Sequence, residues 1–223
     1  MKTKLKAVIL LFTGLIIFST DAYSQLNISA EAYNRYVWRG TDFGSSPSIQ
    51  PDINYSSGNF EVGTWAAFAT TGDPDGTEVD FYASYLIDTN AGGLSLSITD
   101  YTFPDLDFNN YFSSNSHFIE LGVGYSGPES FPITLSTGIF VTNDDDNSIY
   151  SEIGYDIRNV SLFLGFTPTE SALYGTTGSG VINTGFSVSR DVPVTELFSI
   201  SLNGTVVANP YSDNLYFLAG IGF

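Results

Sequence analysis

The chain contains no cysteine and a single histidine, His117. A disulfide framework, a thiolate metal site, a cysteine nucleophile and a multi-histidine metal centre are therefore excluded. Positive charge is also scarce: seven Lys and Arg face 24 Asp and Glu among 223 residues, a net charge of −17. That sign argues against nucleic acid as a partner, because contacting phosphates requires a basic surface. Beyond the N-terminus no segment reaches the roughly 18 consecutive apolar residues that a membrane-crossing helix needs. What the chain does have is 43% hydrophobic residues, 15% aromatic residues and 22 glycines. It is too apolar for disorder, and its composition leans towards an all-β protein.

The N-terminus reads as a cleaved export signal. Lys2, Lys4 and Lys6 precede an apolar run from Ala7 to Phe18, and Ala22-Tyr23-Ser24 supplies small residues at the −3 and −1 positions before Gln25. The run is too short to span roughly 30 Å of hydrocarbon as an anchor. Residues 1–24 are thus expected to be removed, leaving 25–223 as one domain. That domain has no lysine and carries four arginines against 23 acids, a net charge of −19.

Within 25–223 the hydrophobic period is two. Phe60, Val62, Thr64, Ala66 and Phe68 alternate with Glu61, Gly63, Trp65 and Ala67, and Val79, Phe81, Ala83 and Tyr85 with Glu78, Asp80, Tyr82 and Ser84. Ile149, Ile153, Tyr155 and Ile157 share a face opposite Tyr150, Glu152, Asp156 and Arg158. Such segments are strands with one apolar and one polar face. The pattern predicts twelve strands, over 27–40, 47–56, 59–70, 77–88, 93–103, 115–126, 132–142, 148–158, 160–168, 181–190, 194–208 and 213–223. Short connections alternate with longer ones rich in Asp, Asn, Gly and Ser. This asymmetry predicts an antiparallel up-and-down β-barrel of the outer-membrane type, with tight periplasmic turns, longer outer loops and a lipid-facing exterior. A soluble β-sandwich also alternates, but here charge recurs on one face of almost every strand. The terminal strand places Leu215, Phe217, Ala219, Ile221 and Phe223 on one face. It resembles the signal read by the bacterial barrel-assembly machinery, so Phe223 is an expected assembly residue. The expected location is the outer membrane of a Gram-negative bacterium.

Three spaced elements add a family resemblance. Tyr36-Val37-Trp38-Arg39-Gly40 is followed by Pro47-Ser48-Ile49-Gln50 and by Gly63-Thr64-Trp65. This order resembles the TorF-family porins, also called the Gcw_chp family of bacterial proteins of unknown function. The likeness covers about forty residues, and it departs from the family pattern at Asn34-Arg35, where Ser-Asp is expected before the tyrosine. It implies a small outer-membrane barrel and supplies no substrate.

Continuing the alternation through the first predicted strand puts Glu31, Arg35 and Arg39 in the lumen and Ile28, Ala30, Tyr36 and Trp38 outside. Pairing with the second strand then sets Arg35 opposite Asp52 and Arg39 near Ser48. Glu61, Glu78, Asp80, Glu120, Glu152 and Asp156 are further lumen acids, with Trp65, Tyr82, Tyr101 and Phe118 narrowing the interior. Two readings follow: a porin-like, cation-preferring passage whose field selects ions, or a closed barrel filled by interlocking ion pairs. Asp144, Asp145 and Asp146 on an outer loop are weak Ca²⁺ candidates. Asp73-Pro74-Asp75-Gly76 is above all a turn. His117 shares the outward parity of Ile119 and Leu121 with no serine opposite it. That gives no nucleophile for an esterase or phospholipase, and the reading is of a protein that is not an enzyme and needs no cofactor.

Overall fold

An open sheet leaves an edge of unpaired amides, and closing the sheet on itself removes that edge. The computed structural model, which describes residues 25–106, 110–196 and 198–223, shows that closure. The expected export signal lies outside the described residues. Among the described residues fourteen strands occur in chain order: β1 Gln25–Tyr33, β2 Tyr36–Trp38, β3 Thr41–Phe43, β4 Ser48–Ser57, β5 Phe60–Ala69, β6 Glu78–Thr89 and β7 Gly92–Thr102. They continue with β8 Phe118–Ser126, β9 Ile133–Phe140, β10 Ile149–Ile157, β11 Val160–Thr167, β12 Gly180–Pro193, β13 Ser199–Asn209 and β14 Asn214–Gly222. Twelve of them form a closed antiparallel up-and-down barrel, in which β1 pairs with both β4 and β14. β2 and β3 form a separate two-stranded hairpin.

The predicted strands agree with the barrel except at the first. Residues 27–40 are not one strand: β1 stops at Tyr33, and the chain turns inward. Register along β1 and β4 is Ser29↔Asp52, Glu31↔Gln50 and Tyr33↔Ser48. Asp52 therefore faces Ser29 and not Arg35, and Ser48 is opposite Tyr33 and not near Arg39.

The barrel wall sorts residues by parity, as the pleat requires. Ile53, Val62, Phe81, Ile98, Leu121, Ile153, Leu164, Phe186 and Leu202 all point outward and are exposed. Around the short-turn end, Tyr55, Phe60, Tyr85, Phe131, Tyr155 and Phe223 add exposed aromatic rings. The closing seam is short. Glu31, Ala32 and Tyr33 pair with Gly222, Ile221 and Gly220, and Ala30 and Phe223 exchange backbone hydrogen bonds of 2.9 and 3.0 Å. One residue farther on, the Asn34 backbone N–H still donates to the Ala219 carbonyl (3.0 Å), and its side chain adds to the seam. The side-chain amide donates to the Phe217 carbonyl (3.0 Å), and the side-chain oxygen accepts from the Ala219 N–H (2.8 Å).

Candidate functional site: a hairpin across the lumen

The turn that reverses β2 into β3 is Arg39-Gly40, with φ of +48° and +78°. Two successive positive φ values match the right-handed twist of a tight hairpin. Arginine pays strain there that glycine does not. Gly40 is required for a second reason: a Cβ on it would lie 1.8 Å from the Ile182 carbonyl oxygen. That carbonyl belongs to β12, at the residue where the register slips between Gly165 and Phe166 of its partner. The tip of the hairpin thus sits hard against β12.

Tyr36, Trp38 and Arg39 find their partners on other strands, chiefly β5 to β8. Tyr36 donates to Glu78 (2.8 Å) and packs on Trp65 with ring centroids 5.4 Å apart. Trp38 meets Tyr101 at 5.6 Å and Tyr174 at 6.1 Å. Arg39 grips Glu120 through two parallel bonds of 2.6 and 3.0 Å and also donates to the Tyr174 hydroxyl (2.7 Å). Its guanidinium lies 4.4 Å from the centre of the Tyr150 ring, a stacked geometry that lysine does not reproduce. Tyr101 donates a third bond to Glu120 (2.8 Å), and Asn209 donates to the Gly40 carbonyl (3.1 Å). Burial pushes the Tyr174 phenol up to about 12, so it remains a neutral acceptor for Arg39. Gly138 leaves the space that Glu120 fills, since a Cβ there would be 2.1 Å from Oε1.

Tyr36 and Trp38 are therefore inside the barrel, where the uninterrupted-strand expectation had them outside. Arg35 pairs with Asp42 of β3 at 2.5 Å. Asp52 instead accepts from Tyr82 (3.0 Å) and Asn54 (2.8 Å). Of the other expected lumen acids, Glu31 accepts from Asn203, Glu61 from Ser56, Glu152 from Asn183 and Asp156 from Ser161. These are neutral donors. Among the described residues, arginine ion pairs form only at Asp42 and Glu120, so Glu31, Asp52, Glu61, Glu152 and Asp156 have no arginine partner.

Two cavities flank the hairpin. The inner one, about 610 Å³, is lined by Glu31, Tyr33, Gln50, Trp65, Asp80, Glu152 and Asn183 among others. The outer one, about 700 Å³, opens between the loops and is lined by Phe43, Phe103, Phe140, Asp73 and Asp75 among others. Trp38 and Tyr101 line both cavities and touch edge-on where the two meet.

Loop acids have structural duties. Asp144 accepts from the Asp146 and Ser148 N–H groups, Asp146 from that of Ala172, and Asp73 from that of Asp75. Asp145 also lines the outer cavity. No group of three acid or histidine ligands converges to hold a metal among the described residues. His117 has a partner that parity alone does not reveal. Its Nδ1 is 2.8 Å from Asp100 on the outer rim, and its Nε2 is 2.7 Å from the Tyr111 carbonyl. Both nitrogens face acceptors, and these bonds, the Tyr111 carbonyl first and Asp100 next, hold the histidine above its ordinary 6.5.

The fold and its interior define a class: a closed twelve-stranded β-barrel with a side-chain-tethered hairpin across its lumen. Residues 20–165 match the family described as a bacterial protein of unknown function (Gcw_chp), and the chain belongs to that family. No curated protein matches it. The family resemblance seen in the sequence falls largely on the hairpin, since Tyr36, Trp38, Arg39 and Gly40 each make a contact that seats it.

Proposed function

We propose that the protein is an outer-membrane barrel acting as a porin-like passage for ions and small polar solutes, with cations preferred. The observation that carries this reading is the pair of cavities that meet at Trp38 and Tyr101, with the side-chain-tethered hairpin between them. A barrel filled throughout by side chains leaves no such chambers. The apolar exterior, with aromatic rings at the turn end, is what a bilayer requires of a spanning barrel. No helix among the described residues is long and apolar enough to cross a membrane; in this reading the strands cross it. Residues 1–24 serve as the export signal, and the barrel-assembly machinery and outer-membrane lipids are the partners. The barrel is not catalytic in this reading, as His117 spends both nitrogens on Asp100 and Tyr111.

Low-dielectric walls concentrate the field of the lumen acids without an arginine partner, which favours cations. Planar-bilayer recording of the refolded chain from residue 25 tests the proposal. Stepwise conductance with a cation-selective reversal potential in a salt gradient is expected. Silence from barrels that migrate as folded on unheated gels would instead assign a closed, ligand-binding or structural barrel. Anion selectivity would overturn the picture of the lumen. Selectivity should weaken with salt, because the Debye length falls from about 10 Å at 0.1 M to about 3 Å at 1 M.

A further inference from the structure

The outer cavity combines two chemistries. Its floor is aromatic: Trp38, Phe43, Tyr101, Phe103, Phe118 and Phe140 line it, and they touch one another, with centroids 5.4 Å apart for Tyr101 and Phe140 and 5.7 Å for Phe103 and Phe118. Its rim is anionic. Asp42, Asp73, Asp75, Asp144, Asp145 and Asp146 line it, and neither lysine nor arginine does. A cavity of this volume suits a small molecule with an apolar body, and the rim specifies the sign of its charge.

Asp42 specifies more than the sign. Its carboxylate is about nine-tenths buried. Oδ2 accepts from Arg35 and from the Ser45 hydroxyl (3.2 Å), while Oδ1 is buried without a hydrogen-bond partner. A desolvated carboxylate oxygen without a donor is costly, and a ligand that supplies an N–H recovers that cost on binding. A quaternary ammonium has the charge but no N–H, and a neutral alcohol has a donor but no charge.

We propose that the outer cavity is a binding site for a protonated amine carrying an aromatic or similarly sized apolar body. The ammonium donates to Asp42 Oδ1, and the body lies on the aromatic floor, where ring faces add cation–π attraction. The inference deepens the proposed passage by naming a class of solute for its outer chamber. It rests on that reading only for the chamber facing the cell exterior, because binding to the folded barrel needs no conduction.

The test uses 2-phenylethylammonium, its N,N,N-trimethyl derivative and neutral 2-phenylethanol, titrated calorimetrically into the refolded chain from residue 25 in detergent. The primary ammonium is expected to bind with a Kd below about 1 mM, and the two analogues at least about tenfold more weakly. Asp42→Asn should abolish the difference between the primary and trimethyl ammonium ions, and Asp145→Asn should weaken both equally and only at low salt. No binding of the primary ammonium, equal affinity for all three probes, or unchanged discrimination in a folded Asp42→Asn barrel would each overturn the proposal. If Asp42→Asn does not fold, the ranking of the three probes on the unaltered barrel decides. Bilayer recordings separate the two readings: binding without conductance sinks the passage and leaves the site, and conductance without binding does the reverse.

Discussion

Arg39 and Glu120, 81 positions apart in the chain, form a two-pronged ion pair of 2.6 and 3.0 Å that ties the lumen hairpin to the barrel wall. Their side chains are only 16% and 7% exposed. A buried pair of this kind resists the removal of one partner more than it adds net stability, because the survivor is left as an unmatched charge.

Arg39→Gln should therefore destabilise the seated hairpin by about 3–5 kcal/mol. Arg39→Lys should recover only part of the loss, since an ammonium cannot make both parallel bonds or stack on Tyr150. Urea unfolding of the detergent-folded barrel measures the first effect. In bilayers, both variants should raise conductance relative to the unaltered chain if the hairpin partitions the lumen, and unchanged conductance would contradict that role.

Gly40→Ala attacks the same hairpin through the backbone. A methyl group 1.8 Å from the Ile182 oxygen, at φ +78°, cannot be accommodated without moving the turn. Left-handed strain alone costs on the order of 1–3 kcal/mol, and the clash adds to it. Gly204→Ala meets nothing within 4 Å and is the control. The yield of folded, heat-modifiable barrel should fall for the first and hold for the second.

If the barrel spans a bilayer as proposed, outward-facing and lumen-facing positions should tolerate charge differently. Ile153 sits mid-strand and points outward, so Ile153→Arg should cost approximately 2–4 kcal/mol in a bilayer. Phe81→Arg, four residues into β6, should cost less because it lies nearer the rim. Ser84→Arg, facing the lumen, should cost least. Equal folding of all three in lipid vesicles would refute the assigned environment.

Barrel closure depends on few residues. Deleting Phe223 removes both of its backbone bonds to Ala30 together with the terminal ring, and should reduce membrane insertion in cells while detergent refolding partly survives. Asn34→Ala, which loses the two side-chain bonds to β14, should weaken the seam without altering a terminal signal. Unheated gel migration of membrane fractions distinguishes the two.

Protonated His117 anchors the outer loop through Asp100 and Tyr111. Because its folded value is raised above the ordinary 6.5, the anchoring is fully present below that value and is lost as pH rises through the raised one. Hydrogen exchange of residues 110–117 should accelerate over that interval. His117→Gln should remove the pH dependence. A loop whose exchange, after correction for the intrinsic pH dependence, ignores pH would contradict the clasp.

The barrel's strand count and wall parity were legible in the residues because each rests on short-range regularity. Polar and apolar side chains alternate along Phe60–Ala69 or Glu78–Thr89 whatever their neighbours are, and neighbouring strands in an up-and-down barrel are neighbours in sequence. The hairpin was not legible, for a physical reason. Tyr36-Val37-Trp38 alternates just as a continuing strand does, and period two does not say whether a residue's partner is the next strand or the far wall. The available hints were Asn34, which departs from the family pattern, and the turn-forming Arg39-Gly40 and Gly44-Ser45 pairs, all four of which have positive φ. Assigning Arg39 to Glu120, Tyr36 to Glu78 and Arg35 to Asp42, and leaving Asp42 Oδ1 without a donor, required the closed barrel. Closure brings residues from opposite walls within hydrogen-bond reach across a lumen that no local pattern encodes.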